Sequence, residues 1–209
     1  MLISYIGTTL ASFLCGAFPT SYFTGRILRG IDLRDHGSGN LGATNVFRVM
    51  GAVPAMLVLT VDIVKGFVPV FWLPALLGVA GAIPLQCVLG IGAVAGHMFS
   101  PFVGFRGGKG VATGAGVVLA ISPVAVGICV LVWAVLFAAL RIVSVASLAA
   151  ALTLPLAIFL TMDRGAAGFG FFQAFGVLVA TGVILAHRAN IGRLLRGEEK
   201  RLSRGGGNR

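Results

Sequence analysis

Long apolar runs alternate with short polar ones along most of this chain. The apolar runs are long enough to cross a bilayer as helices, which takes about 20 residues. Seven are read near residues 2–24, 52–77, 84–100, 111–122, 123–141, 143–162 and 169–187. The expected fold is all-α: an integral membrane protein with seven transmembrane helices, one of them short. It forms a single domain over residues 1–199. A basic, Gly-rich tail at 200–209 is expected to be disordered. In the fourth run, Gly110 and Pro123 bracket roughly a dozen residues, ~18 Å of helix at 1.5 Å per residue. That spans little more than half of a hydrocarbon core about 30 Å thick. A helix starting there puts its positive dipole end within the membrane region, where irregular backbone persists only if protein or water satisfies it. No basic stretch precedes the first run, which reads as a retained span and not a cleaved signal peptide.

Charge then sets orientation. Every lysine and arginine except Lys65 and Arg164 falls after an odd-numbered span, hence on one side of the membrane. By the positive-inside rule that side is cytoplasmic, so the N-terminus is expected outside and the C-terminus inside. The net charge of +10 needs no nucleic acid, since this bias and anionic lipid account for it. Hydrophobic residues make up 57% of the chain and charged ones 11%, which excludes an ordinary soluble domain. Glycine, at 31 of 209 residues, is about twice as common as usual. Some of it suits close helix packing in lipid, as at Gly92 and Gly96. Cys15, Cys87 and Cys129 lie in apolar runs without metal-ligand spacing and read as small buried residues.

The remaining glycines gather in three polar islands, all on the predicted cytoplasmic side. The first runs from His36 through Gly37, Ser38, Gly39, Asn40, Leu41, Gly42, Ala43 and Thr44 to Asn45, with Arg48 beyond. Its glycines permit turns whose N–H groups converge on an anion, and Ser38, Asn40, Thr44 and Asn45 add hydroxyls and amides. The second runs from Arg106 through Gly107, Gly108, Lys109 and Gly110 to Thr113. It lacks the spacing and the Ser or Thr of a Walker A loop, and no acidic partner is placed to hold magnesium. ATP hydrolysis is disfavoured, but N–H groups, a lysine and a helix N-terminus aimed at one point still suit a phosphoryl group. The third closes the last span with His187, Arg188, Asn190, Gly192 and Arg193. His187 and Asn190, three apart, share a helix face. His36 reads as a loop residue, and His97 is equally open to a structural and a site role. Asp62 and Lys65 are opposite charges three apart inside a span. Asp62 is read as structural support, either pairing along its own helix or holding a site arginine.

These islands resemble the motifs of the bacterial acyl-phosphate:glycerol-3-phosphate acyltransferase (PlsY) family. The matching text is GSGNLGATNVFR from Gly37 to Arg48, GHMFSPFVGFRGGKGVATGAG from Gly96 to Gly116, HRANIGRLLRGEE from His187 to Glu199, and DIVKG from Asp62 to Gly66. The resemblance covers nearly the whole chain; Gly197-Glu198 stands where Gly-Thr-Glu is expected. It implies transfer of an acyl group from acyl phosphate to the 1-hydroxyl of glycerol 3-phosphate, in the bacterial cytoplasmic membrane. By that analogy Ser38, Arg48, Lys109, His187 and Asn190 serve binding and catalysis, and Glu198 supports the fold. The wider binding set is then Gly37, Asn40, Thr44, Asn45, Arg106, Gly107, Gly108, Gly110 and Thr113. No cofactor, metal, thioester donor or protein partner is expected; the partners are the two substrates and the bilayer.

The residues agree with such chemistry. Acyl phosphate is already activated, so a site need only align a hydroxyl and stabilise developing charge. The His-x4-Asp pair of other glycerolipid acyltransferases is absent: Leu41, Phe102 and Gly192 stand five residues beyond the three histidines. A donor phosphate oxygen is the expected proton acceptor, with His187 the second candidate. The competing class is a transporter of phosphorylated lipid or a small phosphate ester. No inverted repeat is evident, and the polar residues cluster at one side and not at the midplane.

Overall fold

The computed structural model describes residues 2–79 and 82–202. Among them the chain forms α-helices and one 3-10 turn, Pro101–Val103, with no strand. The helices are α1 (Leu2–Ala17), α2 (Thr20–Arg29), α3 (Ala43–Met50), α4 (Ala52–Leu76), α5 (Ile83–Met98), α6 (Val111–Ile121), α7 (Pro123–Leu140), α8 (Val143–Thr161), α9 (Phe169–Ala186) and α10 (Arg188–Leu195). Five are long and apolar enough to cross a membrane: α4, α5 continued to Val103, α7, α8 and α9. The helix α6 is apolar but has only 11 residues.

The expected first span, 2–24, is not one helix. It breaks at Phe18-Pro19, where Pro19 has no N–H to give and its ring excludes the carbonyl four residues back. At the break the Phe18 carbonyl accepts from Thr20 N–H at 3.0 Å and from Lys65 Nζ at 2.8 Å, so a buried lysine of α4 holds it. Beyond it α2 buries Thr20, Ser21 and Thr24 while Ile27 and Leu28 stay exposed. It ends at Gly30, whose φ of 67° lets its N–H cap the Arg26 carbonyl. Near the C-terminal end of the described residues, Leu202 N–H donates to the Arg141 carbonyl at 2.7 Å, and Arg141 Nε donates to the Leu202 carbonyl at 3.1 Å. Residues 203–209 of the expected disordered tail lie outside the described residues.

Glycine lets two helix pairs touch backbone to backbone. A Cβ on Gly16 would collide with the Ala93 carbonyl, and one on Gly96 with the Phe13 carbonyl, so α1 and α5 cross without side chains between them. The helices α4 and α6 do the same through Gly66 against the Thr113 carbonyl and Gly116 against the Ile63 carbonyl. The short α6 is thereby fixed deep between α4 and α5. One apolar core, with Leu89, Val117, Phe172 and Phe175, joins α5 through α9. A second, with Leu33, Leu41, Val46, Val58 and Val103, glues the first island onto α4 and the 3-10 turn. The cysteines are free; Cys87 and Cys129 are buried as expected, whereas Cys15 is only half-buried.

Candidate active site

Between the two cores lies a cavity of about 640 Å³, within the usual range for a ligand site. All three islands reach it. Ser38, Asn40, Thr44, Asn45 and Arg48 line it from the first, Lys109 and Gly110 from the second, and His187, Asn190 and Arg193 from the third. The cavity then continues as an apolar slot between α6, α7, α8 and α9, walled by Val118, Val130, Trp133, Leu154 and Val179.

The first island is shaped by Asn45, which is 1% exposed. Its Nδ2 donates to the Leu33 and His36 carbonyls at 3.0 Å each, and its Oδ1 accepts the Ser38 N–H at 2.7 Å. Asn45 therefore spends its side chain on the loop and presents the exposed Ser38 to the cavity. Gly37 serves the same fold. Its φ is 65°, and a Cβ there would collide with Asn45 Oδ1.

A chain of hydrogen bonds joins the other two islands. Lys109 Nζ donates to Asn190 Oδ1, and Asn190 Nδ2 donates to Glu199 Oε1 at 2.5 Å. Ser144 Oγ donates to the same Glu199 oxygen at 2.8 Å, and Arg193 Nε donates to Oε2 at 2.7 Å. Burial works to raise the Glu199 pKa, but the donors from Asn190, Ser144 and Arg193 prevail and hold it below the usual carboxylate value. Burial, then the neighbouring Arg193 and Arg48, lower the Lys109 pKa to about 8 against the opposing pull of Glu199. Arg48 is also pulled down by burial, though an arginine stays charged at any working pH. Arg48, Lys109 and Arg193 thus face one ionised Glu199, and the polar end of the cavity is net positive.

His187 is 3% exposed, and its Nδ1 lies 2.8 Å from the Val183 carbonyl. A carbonyl only accepts, so Nδ1 carries the hydrogen and Nε2 presents a lone pair. Burial, then the charge on Lys109, push its pKa down to about 4. The neutral imidazole can accept a hydrogen bond but is a weak base.

The chain is similar to known proteins over most of its length. The family model described as glycerol-3-phosphate acyltransferase matches residues 6–197. The glycerol-3-phosphate acyltransferase of Chlorobaculum tepidum is 38% identical over 98% of this chain and 99% of its own length. That of Desulforudis audaxviator is 43% identical over 92% of each. A crystal structure of PlsY, an integral membrane glycerol 3-phosphate acyltransferase in its glycerol 3-phosphate form, superposes with a TM-score of 0.83 at 37% identity, covering 96% of both chains. Its lysophosphatidic acid form gives 0.81 at 36% identity and the same coverage. The chain belongs to the glycerol-3-phosphate acyltransferase family.

In this acyltransferase several residues named from the sequence sit elsewhere. Gly107 and Gly108 spend their N–H groups on the Met98 and His97 carbonyls at 3.1 and 3.2 Å, and they do not line the cavity. Arg106 is exposed outside it. Thr113 is fully buried where α6 crosses α4 and does not line the cavity. Glu198 is exposed and pairs with Arg196 at 2.8 Å, whereas its neighbour Glu199, with a side chain 4% exposed, holds the supporting position. The register was lost because two carboxylates stand side by side at 198 and 199, and the sequence does not say which of them is buried. Asp62 lines the cavity but pairs with Lys65 at 2.8 Å and not with an arginine. Sequence reasoning assigned no site role to Arg193 and missed Ser144 altogether. Arg193 was legible from its place in the third island; Ser144, inside the apolar run that forms α8, carried no signal.

Proposed function

We propose that this protein transfers an acyl group from a membrane-borne acyl phosphate to the 1-hydroxyl of glycerol 3-phosphate. The products are 1-acylglycerol 3-phosphate and inorganic phosphate. One observation carries the reading: a cationic cavity end built by all three islands opens into an apolar slot between α6 and α9. A ligand with two such ends is a lipid with an anionic head. Arg48, Lys109 and Arg193 suit two phosphoryl groups, with the α6 N-terminus behind Gly110 adding free N–H groups.

The chemistry needs alignment and charge stabilisation more than a strong base. The 1-hydroxyl oxygen attacks the acyl carbonyl carbon, the carbon–oxygen bond to phosphate breaks, and phosphate leaves with the electron pair. A phosphate oxygen takes the hydroxyl proton, because a histidine with a pKa about 4 is poorly matched to that task. His187 Nε2 instead accepts from a substrate hydroxyl and orients it. Ser38 Oγ and Arg48 stabilise charge on the carbonyl and leaving oxygens.

The topology follows the basic residues. The proposed spans are α1, α4, α5, α6, α7, α8 and α9, with the N-terminus outside and the site at the cytoplasmic face of a bacterial inner membrane. The test is direct. Protein purified in detergent, given acyl phosphate and glycerol 3-phosphate, is expected to form lysophosphatidic acid and release phosphate with no sealed compartment. Substrate movement that requires vesicles, with no product formed, would favour a transporter. Single cysteines placed at Arg188 and Arg164 are expected to react from the cytoplasmic and outer sides respectively; the reverse pattern overturns the orientation.

A further inference from the structure

Beside the cavity, four polar side chains meet in the interior. Thr20 of α2, Asp62 and Lys65 of α4 and His97 of α5 are each less than 9% exposed. Asp62 Oδ1 accepts from Lys65 Nζ at 2.8 Å and from Thr20 Oγ1 at 3.1 Å, and His97 Nδ1 stands 3.8 Å from the same oxygen. Desolvating such a cluster is costly before its contacts offset it. Ionisable groups inside membrane proteins usually serve function. Asp62 and His97 reach the wall of the substrate cavity, but Lys65 and Thr20 do not, so substrate contact does not explain the cluster as a whole.

What the cluster touches is the loop that carries Lys109. The His97 carbonyl accepts the Gly108 N–H at 3.2 Å, and the Met98 carbonyl accepts the Gly107 N–H at 3.1 Å. A Cβ on Gly108 would collide with His97 Nε2 on one side and come within 2.6 Å of the Leu41 carbonyl on the other. Gly108 is therefore clamped between the imidazole and the backbone of the first island. The next residue is Lys109, whose ammonium reaches Asn190.

We propose that His97 is a positioning residue for Lys109: packed beside Asp62, its imidazole is the wall against which Gly108 sets the lysine. The proposal rests on the assignment of Lys109 to the substrate site. It gives the buried ion pair a place in the packing: Lys65 and Thr20 hold Asp62, Asp62 stands 3.8 Å from the ring, and the ring packs against Gly108. A displacement of the lysine by about 1 Å costs up to 100-fold in rate.

The experiment is a double-mutant cycle on kcat/KM for glycerol 3-phosphate, with thermal stability in detergent measured alongside. His97→Asn retains only the Asp62-facing nitrogen, whereas His97→Gln reaches the Gly108-facing position. The asparagine variant is expected to lose on the order of 10- to 100-fold in kcat/KM, and the glutamine variant to recover part of that. In a Lys109→Arg background the His97→Asn loss is expected to shrink to within about twofold, because the group it positions is already displaced. Gly108→Ala is expected to behave alike and decides the matter if the histidine variants do not fold. Losses that multiply in the double variants, or wild-type kcat/KM in both His97→Asn and Gly108→Ala, overturn the proposal. Wild-type turnover by Lys109→Ala would instead remove the site assignment on which it rests.

Discussion

Raising the pH is expected to silence the enzyme through Lys109. The perturbation is deprotonation of one ammonium, and its midpoint follows from the structure. Burial, with Arg193 and Arg48 nearby, brings the pKa down to about 8 from the ordinary 10.5. If the charged form grips a substrate phosphate, kcat/KM for glycerol 3-phosphate falls about tenfold per pH unit above that midpoint. The ratio is the right quantity, because it reports ionisations of the free enzyme. Stability moves the other way. Between about 8 and 10.5 the unfolded chain binds a proton that the folded one has released. The contribution of this group to stability therefore rises with pH across that window, by at most about 3 kcal/mol and less after solvent screening. The assay is initial-rate phosphate release from pH 6.5 to 9.5, with Lys109→Arg in parallel, since arginine stays charged throughout. A flat wild-type profile, or the same alkaline fall in the arginine variant, would refute this assignment.

The two adjacent carboxylates are expected to differ sharply. Glu199→Ala removes the acceptor shared by Asn190, Ser144 and Arg193 and is expected to cost about 3 kcal/mol in thermal unfolding and most of the turnover. Glu198→Ala is expected to stay within about 0.5 kcal/mol of wild type, and equal effects would contradict the network. Gly66→Ala drives a methyl into the Thr113 carbonyl where α4 crosses α6 and is expected to cost roughly 1–3 kcal/mol, read as a lower Tm in detergent. His187→Gln is expected to raise KM for glycerol 3-phosphate while kcat falls no more than several-fold. A drop in kcat of about 1,000-fold at unchanged KM would instead make the imidazole the general base.

The positions of the long helices were legible in the chain itself. A segment in lipid must satisfy its own backbone, so uninterrupted apolar length translates into helix, and α4 to α9 begin and end within a few residues of the apolar runs. The chemistry of the three islands was legible too, because glycine, hydroxyl, amide and cation are conspicuous against an apolar background. What the chain could not reveal was how its hydrogen-bonding capacity is spent. Gly107 and Gly108 looked free to bind phosphate, but their donors close onto the end of α5, and Asn45 spends its amide on the Ser38 loop. Thr113 against Lys109, and Glu198 against Glu199, differ by a few residues or one in sequence and by burial and partner in space. Those choices depend on where neighbouring helices fall, on the Pro19 break, and on glycine contacts that fix the depth of α6. Local composition determined which groups were present; only close packing between distant segments decided which of them face the cavity with a donor, an acceptor or a charge to spare.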